Sequence, residues 1–184
     1  VDKQLRAEFT DFEDWDRSVK NYYFIKLLLS SDYFDFANKP KGILPFHKYK
    51  THIATPVEEH LQECTRYSSA NNSSHLHFTV SESHQKYFED TIDAIKTKIE
   101  KESAVAINIS YSYQNKSTDT LAVTKKNKPL RDENGQLVFR PGGHGALIEN
   151  LNSLDADMVF IKNIDNVIQN NLDKISLYKK GLAG

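Results

Sequence analysis

The chain has 184 residues, with 24 Lys+Arg against 25 Asp+Glu and a formal net charge of −1. A chain of this size buries roughly 70% of its unfolded surface, so one domain over residues 1–184 is expected. The charge balance leaves no basic excess for a nucleic-acid partner, the lone Cys64 excludes an internal disulfide framework, and no apolar run approaches the ~20 residues that span a bilayer.

Taken in chain order, the first 30 residues read as helix, with Asp16 able to cap an apolar series through Val19, Tyr22, Tyr23, Ile25, Leu27 and Leu28. Pro40 and Pro45 make Asn38–Phe46 a loop. Thr55-Pro56-Val57-Glu58 has the order of a capping box with proline at the first helical position, predicting a helix to about Tyr67. A short strand is predicted at Leu76–Val80, then a long helix capped by Ser81 or Ser83 and ending near Glu102. Ala104–Tyr113 alternates apolar and polar residues as a strand does, and Thr120–Val123 and Gln136–Phe139 read as two more, joined by turn-rich sequence. Gly143–Leu151 predicts a helix, Met158–Ile161 a buried strand, and Ile164–Lys180 mostly helix. Strands alternating with helices indicate an α/β layered sheet with parallel crossovers.

Ligands of open α/β sheets bind beyond the carboxyl ends of the strands, and two segments fall there. In Phe139-Arg-Pro-Gly-Gly-His-Gly145 a strand runs into a turn holding three of the seven glycines, Gly142, Gly143 and Gly145. Backbone N–H groups at a following helix start, a donor from His144 and the charge of Arg140 suit a phosphate; the alternative is a tight turn with a surface histidine. In Val159-Phe-Ile-Lys-Asn-Ile-Asp-Asn166 an apolar run ends in Lys162, Asn163, Asp165 and Asn166. Asp165 there is a plausible Mg²⁺ ligand, or the cap of the next helix. Lys39 and Lys41 offer point charges for phosphate or are solvated. His47, His52, His60, His75, His77 and His84 show no zinc-ligand spacing, Cys64 reads as core filler, and Ser117–Thr120 is a pocket wall or a turn. No Gly-x-Ser-x-Gly elbow is present.

Pro141-Gly-Gly-His-Gly145 followed by Phe160-Ile-Lys-Asn-Ile-Asp-Asn166 resembles the UDP-sugar pyrophosphorylases. Lys39-Pro-Lys-Gly-Ile-Leu-Pro45, Phe78-Thr-Val-Ser-Glu-Ser-His84 with Phe88, and Tyr113-Gln114 are similar, in the same order, to segments of sugar nucleotidyltransferases. Across nearly its whole length the chain most resembles a bacterial domain-of-unknown-function family that looks like remote kin of these enzymes. The resemblance implies a Rossmann-like three-layer α/β/α sandwich of the nucleotide-diphospho-sugar transferase type. It also implies a Mg²⁺-dependent reaction in which NTP and a sugar 1-phosphate give an NDP-sugar and pyrophosphate, in the cytoplasm, with small-molecule partners only. Asp165 then matches the metal-binding Asp, Lys41 the phosphate-binding Lys, Gly143, His144 and Gly145 the loop on nucleotide and α-phosphate, and Gln114 a nucleotide-pocket residue. Arg140, Gly142, Asn163 and Asn166 are expected beside them. Residues 1–38 hold no glycine, so the superfamily's first Gly-rich loop is expected to be missing, with a later sugar-binding portion, and the chain is expected to be part of a longer protein. Ala146 stands where uridylyltransferases carry Asp. A non-catalytic nucleotide-binding module and a phosphohydrolase are the alternative functions.

Overall fold

The N-terminal stretch forms two helices, α1 (Asp2–Glu8) and α2 (Arg17–Leu29), not one. The break is set by Asp16, whose carboxylate accepts from the backbone N–H of Ser18 (2.7 Å) and Val19 (3.0 Å) and so starts a new helix there. Leu5, Phe12 and Leu27 are buried between the two, packed by Phe9, Trp15, Tyr23 and Phe34. The computed structural model describes residues 1–169 and 172–183. Over these the chain is mixed α/β, with helices and three small sheets.

The proline loop holds one tight turn, Lys41–Ile43, and leads to an antiparallel hairpin of β1 (His47–Lys48) and β2 (Ile53–Ala54) that composition did not reveal. Helix α3 (Pro56–Tyr67) starts as expected: Thr55 Oγ1 accepts from the Glu58 N–H at 3.2 Å. The Glu58 carboxylate turns to His52 Nε2 at 3.0 Å instead of closing the capping box.

The main sheet has the order β3 (Ser69–Ala70), β4 (Ser73–Thr79), β5 (Ala106–Ser112), with β3–β4 antiparallel and β4–β5 parallel. Helix α4 (Gln85–Ser103) makes the crossover, as the alternation of elements predicts. Its start differs from expectation: His84 is the N-cap residue, reached through a single 3₁₀ turn at Glu82–His84, and no serine side chain caps it. Its end differs too, because Ala104 takes a left-handed conformation (φ +56°) and delays the strand to Ala106.

Pleating gives this sheet two unlike faces. Phe78 and Ile107, with the half-buried Leu76, Ile109 and Tyr111, face α3 and α4 and form the core with Val57, Leu61, Cys64, Phe88, Ile92 and Ile99. The other face carries His75, Thr79, Asn108 and Ser110, all exposed, rather than the apolar residues that a covered parallel strand shows on both sides.

The predicted strands near residues 120 and 137 pair as β6 (Thr120–Leu121) and β7 (Phe139–Arg140). A five-residue helix, α5 (Ile148–Asn152), follows a 3₁₀ turn at His144–Leu147. Met158–Ile161 is not the buried strand the apolar run predicts. It belongs to no sheet, and Met158, Val159 and Ile161 are exposed. Of the helix predicted over Ile164–Lys180, the first six residues, Ile164 to Gln169, are turn and loop instead, and the helical part is α6 (Leu172–Ala183); Asn170 and Asn171 lie outside the described residues. No helix among the described residues is long and apolar enough to cross a membrane.

Candidate functional site

Because β4 and β5 are parallel, their carboxyl ends lie side by side, and the Val80 N–H donates to the Ser112 carbonyl at 3.0 Å. This is where an α/β sheet offers a ligand site. Asn150 of α5 donates through Nδ2 to Ser112 Oγ and to the Tyr113 carbonyl, both at 2.8 Å, and so ties the glycine loop to the end of β5.

Within that loop the three glycines differ. A Cβ on Gly142 would stand 2.7 Å from the Thr118 carbonyl oxygen and 3.6 Å from Gln114 Nε2, so the backbone there needs glycine to pass. Gly143 and Gly145 face open space and have no positive φ. Nothing among the described residues requires them to be glycine; their bare backbone leaves room on the outer side of the loop. Helix α5 is too short to add a substantial dipole to the site.

Two pairs then form across long sequence separations. His144 Nε2 lies 3.0 Å from Asn163 Oδ1. Lys41 Nζ forms an ion pair with Asp165. Lys41 holds the Asp165 carboxyl below the usual carboxylate range, with help from the residue's own backbone N–H. The Asn166 N–H closes a turn onto the Asn163 carbonyl at 3.0 Å, which sets Asn163 and Asp165 side by side. The structure therefore brings Lys41, His144, Asn163 and Asp165 to one corner, with Gly142 against Gln114 beside them. Gln114 itself donates weakly to Asp119 Oδ1 (3.4 Å). Arg140 is exposed on β7, and among the described residues its guanidinium has no hydrogen-bond or ion-pair partner. The Asn166 side chain is exposed and takes no part.

Behind this corner lies a group that the sequence reading passed over. The segment carrying Asn163 and Asp165 rests on α3 through every second residue. Phe160 packs edge-on against Tyr67 (5.2 Å between ring centroids), Lys162 pairs with Glu63, and the Ile164 carbonyl accepts from His60 Nε2 at 3.0 Å. Glu63 is buried, and a single one of its oxygens, Oε2, takes three donors: Lys162, the Tyr67 hydroxyl (2.8 Å) and Lys179 of α6 (3.2 Å). Glu63 Oε1 has no hydrogen-bond partner among the described residues. Burial raises the Glu63 carboxyl, but the Lys162 and Tyr67 hydrogen bonds and the two lysine charges outweigh it and leave it below the usual range. Lys162 is pushed down by burial, and Glu63, shared with Lys179, only partly offsets this. Burial also lowers His60. The signal available in sequence was the i, i+3, i+7 spacing of 60, 63 and 67, which puts a carboxylate on the apolar side of a helix.

Several of the weaker candidates have structural partners. Lys39 donates to the Phe34 carbonyl (2.9 Å), His47 to buried Glu59 (2.8 Å), and His77 meets Ser110 (2.7 Å) and Ser112 (2.8 Å). Cys64 is core, as read, and the Ser117 N–H donates to Asn115 Oδ1 in a turn. No group of three or more His, Cys, Asp and Glu that could hold a metal ion is found among the described residues. Asp165 alone still satisfies the lower limit for Mg²⁺, which takes one or two carboxylates and completes its shell with phosphate and water.

A family model described as "Domain of unknown function (DUF4301)" matches residues 1–184, and the chain belongs to that family. Neither the curated proteins nor the solved structures give a match.

Proposed function

We propose that this member of the domain-of-unknown-function family binds phosphates at the Lys41–His144–Asn163–Asp165 corner. We read it as a Mg²⁺-dependent sugar-phosphate nucleotidyltransferase, forming an NDP-sugar and pyrophosphate from NTP and a sugar 1-phosphate in the cytoplasm. On this reading the β4–α4–β5 unit is part of a Rossmann-like three-layer sandwich. The observation that carries it is the convergence of a lysine, a histidine and a carboxylate from three separate stretches at the carboxyl end of a parallel strand pair.

Each residue has a stated task. Lys41, released from Asp165, neutralises a phosphate as a point charge. His144 donates to a second phosphate oxygen, and the open backbone at Gly143 and Gly145 lets that phosphate approach closely. Gln114 and Asn163 present amides to the nucleotide, Arg140 adds a free guanidinium, and Asn166 completes the turn that aims Asp165. Asp165, freed as Lys41 turns to the phosphate, would hold Mg²⁺; the ion, when bound, neutralises charge as the sugar-phosphate oxygen displaces pyrophosphate in line. One observation favours a second reading, a binding module without turnover: a single carboxylate stands at the corner, already paired to the lysine.

The test is a thermal-shift panel of NTPs and NDP-sugars, with and without Mg²⁺. A ligand that binds only the folded chain raises the midpoint, by about 2.7 kcal/mol of stability at a hundredfold excess over Kd. The expected result is a shift that needs Mg²⁺ and disappears in Asp165→Ala, with pyrophosphate released in the wild type. A shift without release selects the binding module. No shift with any ligand sinks both.

A further inference from the structure

We infer that Glu63 is a positioning residue: it fixes the register of the 160–166 segment on α3 and thereby places Asn163 and Asp165 opposite His144 and Lys41. The inward residues of the segment are 160, 162 and 164, and the outward ones are 161, 163 and 165; Ile161 is 72% exposed, whereas the Lys162 side chain is 14% exposed. A slip by one residue would bury Asn163 and Asp165, and the apolar pattern already forbids it. A slip by two residues keeps the alternation intact. It would set Phe160 or Ile164 where Lys162 now lies, and would carry the Lys162 charge into the site of Ile164 or Phe160.

What forbids the two-residue slip is charge. Either apolar residue opposite Glu63 would strip it of Lys162 in a site where it is 2% exposed. Such a slip moves the chain by about 6–7 Å, which carries Asp165 away from Lys41 and Asn163 away from His144. A buried ion pair is a poor way to add stability, because apolar side chains of similar volume hold a core as well; its better-attested use is to select one arrangement among several. Lys179 does not supply this register, since it reaches Glu63 from α6 rather than from the segment.

The double variant Glu63→Met/Lys162→Met tests this. It removes the Glu63–Lys162 pair and keeps the volume; Lys179 and the Tyr67 hydroxyl lose their shared acceptor, so the variant is expected to stay folded and to melt somewhat below the wild-type midpoint. Its backbone amide signals for residues 160–166 are expected to split into two sets, or to broaden by exchange between two registers. Its affinity for pyrophosphate with Mg²⁺ is expected to fall about tenfold, the loss that a misplaced pair of polar contacts gives. Lys162→Arg, which keeps the pair, is expected to restore one set of signals and the affinity. If the double variant does not fold, Glu63→Gln takes its place, with the same second set of signals expected. A single wild-type set of signals in the folded variant overturns the inference. The affinity arm rests on the phosphate reading, and the spectral arm does not. Absent pyrophosphate binding in the wild type would therefore reject that reading, while split signals would still establish the register role.

Discussion

The two sides of the 160–166 segment form an instructive contrast. On the inner side Phe160, Lys162 and Ile164 meet Tyr67, Glu63 and His60 out of water. On the outer side Asn163 and Asp165 meet His144 and Lys41 in solvent. Both sides carry an ion pair, yet the pairs differ in kind. Lys162–Glu63 has 14% and 2% of its side chains exposed, Lys41–Asp165 63% and 39%. A screened surface pair contributes little to stability, and water or a ligand replaces either partner readily. A buried pair is hard to replace. One stretch of chain thus separates two tasks by the parity of its residues: the even positions hold the fold, and the odd positions stay free to exchange partners.

The most damaging way to break this contrast is to delete the inner carboxylate alone. Glu63→Ala leaves Lys162 and Lys179 facing each other without their shared anion, and breaking a buried pair in this way costs about 3–5 kcal/mol. Chemical denaturation is expected to show that loss, whereas Asp165→Ala is expected to leave the denaturation midpoint where it is. Equal losses in the two variants would erase the distinction between the sides.

Much of the fold was legible, and the reasons can be named residue by residue. Thr55 and Pro56 start α3 because their preferences are local, and the alternation in β5 follows from its one-sided packing. Local chemistry also picked out the residue types at the corner. It did not show that Lys41 and Asp165, 124 positions apart, or His144 and Asn163 would pair. It misread Met158–Ile161 because four apolar residues in a row do not specify a partner: Phe160 packs on a helix, and the other three are exposed. Glu63 escaped notice because a glutamate in an amphipathic helix ordinarily faces water. Its burial is imposed by Lys162 and Lys179, far along the chain.

A milder perturbation distinguishes glycines that serve packing from those facing the open corner. Gly142→Ala drives a methyl into the Thr118 carbonyl, a backbone atom that cannot swing aside, and overpacking of this kind costs about 1–3 kcal/mol. Gly143→Ala meets nothing in the protein and is expected to leave stability unchanged. On the phosphate reading it still weakens Mg²⁺-dependent nucleotide binding, because the methyl takes the space a phosphate oxygen needs. Paired calorimetry of unfolding and of nucleotide binding on both variants reads the two effects. A stability loss in Gly143→Ala would place it with Gly142 as a packing glycine.

The smallest expected effect concerns protons on the inner side. Burial lowers His60, and its Nε2–H is committed to the Ile164 carbonyl. Its folded pKa therefore lies below its unfolded value near 6.5. Between those two values the unfolded chain binds a proton that the folded chain refuses, so stability falls as pH drops from about 6.5 toward the folded pKa, and below that the group adds no further slope. His77, also lowered by burial, acts in the same direction from the polar face of the sheet. Glu63 enters at lower pH. Its folded pKa is depressed, so its contribution is complete above the unfolded carboxylate value and is lost as pH falls through the folded one. His60→Gln keeps a donor for the Ile164 carbonyl and removes the titration. Its thermal midpoint between pH 5 and 7 is therefore expected to fall less steeply than that of the wild type, with the remaining slope carried by His77. The same steepness in both proteins would mean that the carbonyl of Ile164, and with it the turn that presents Asp165, is held without the help of a neutral His60.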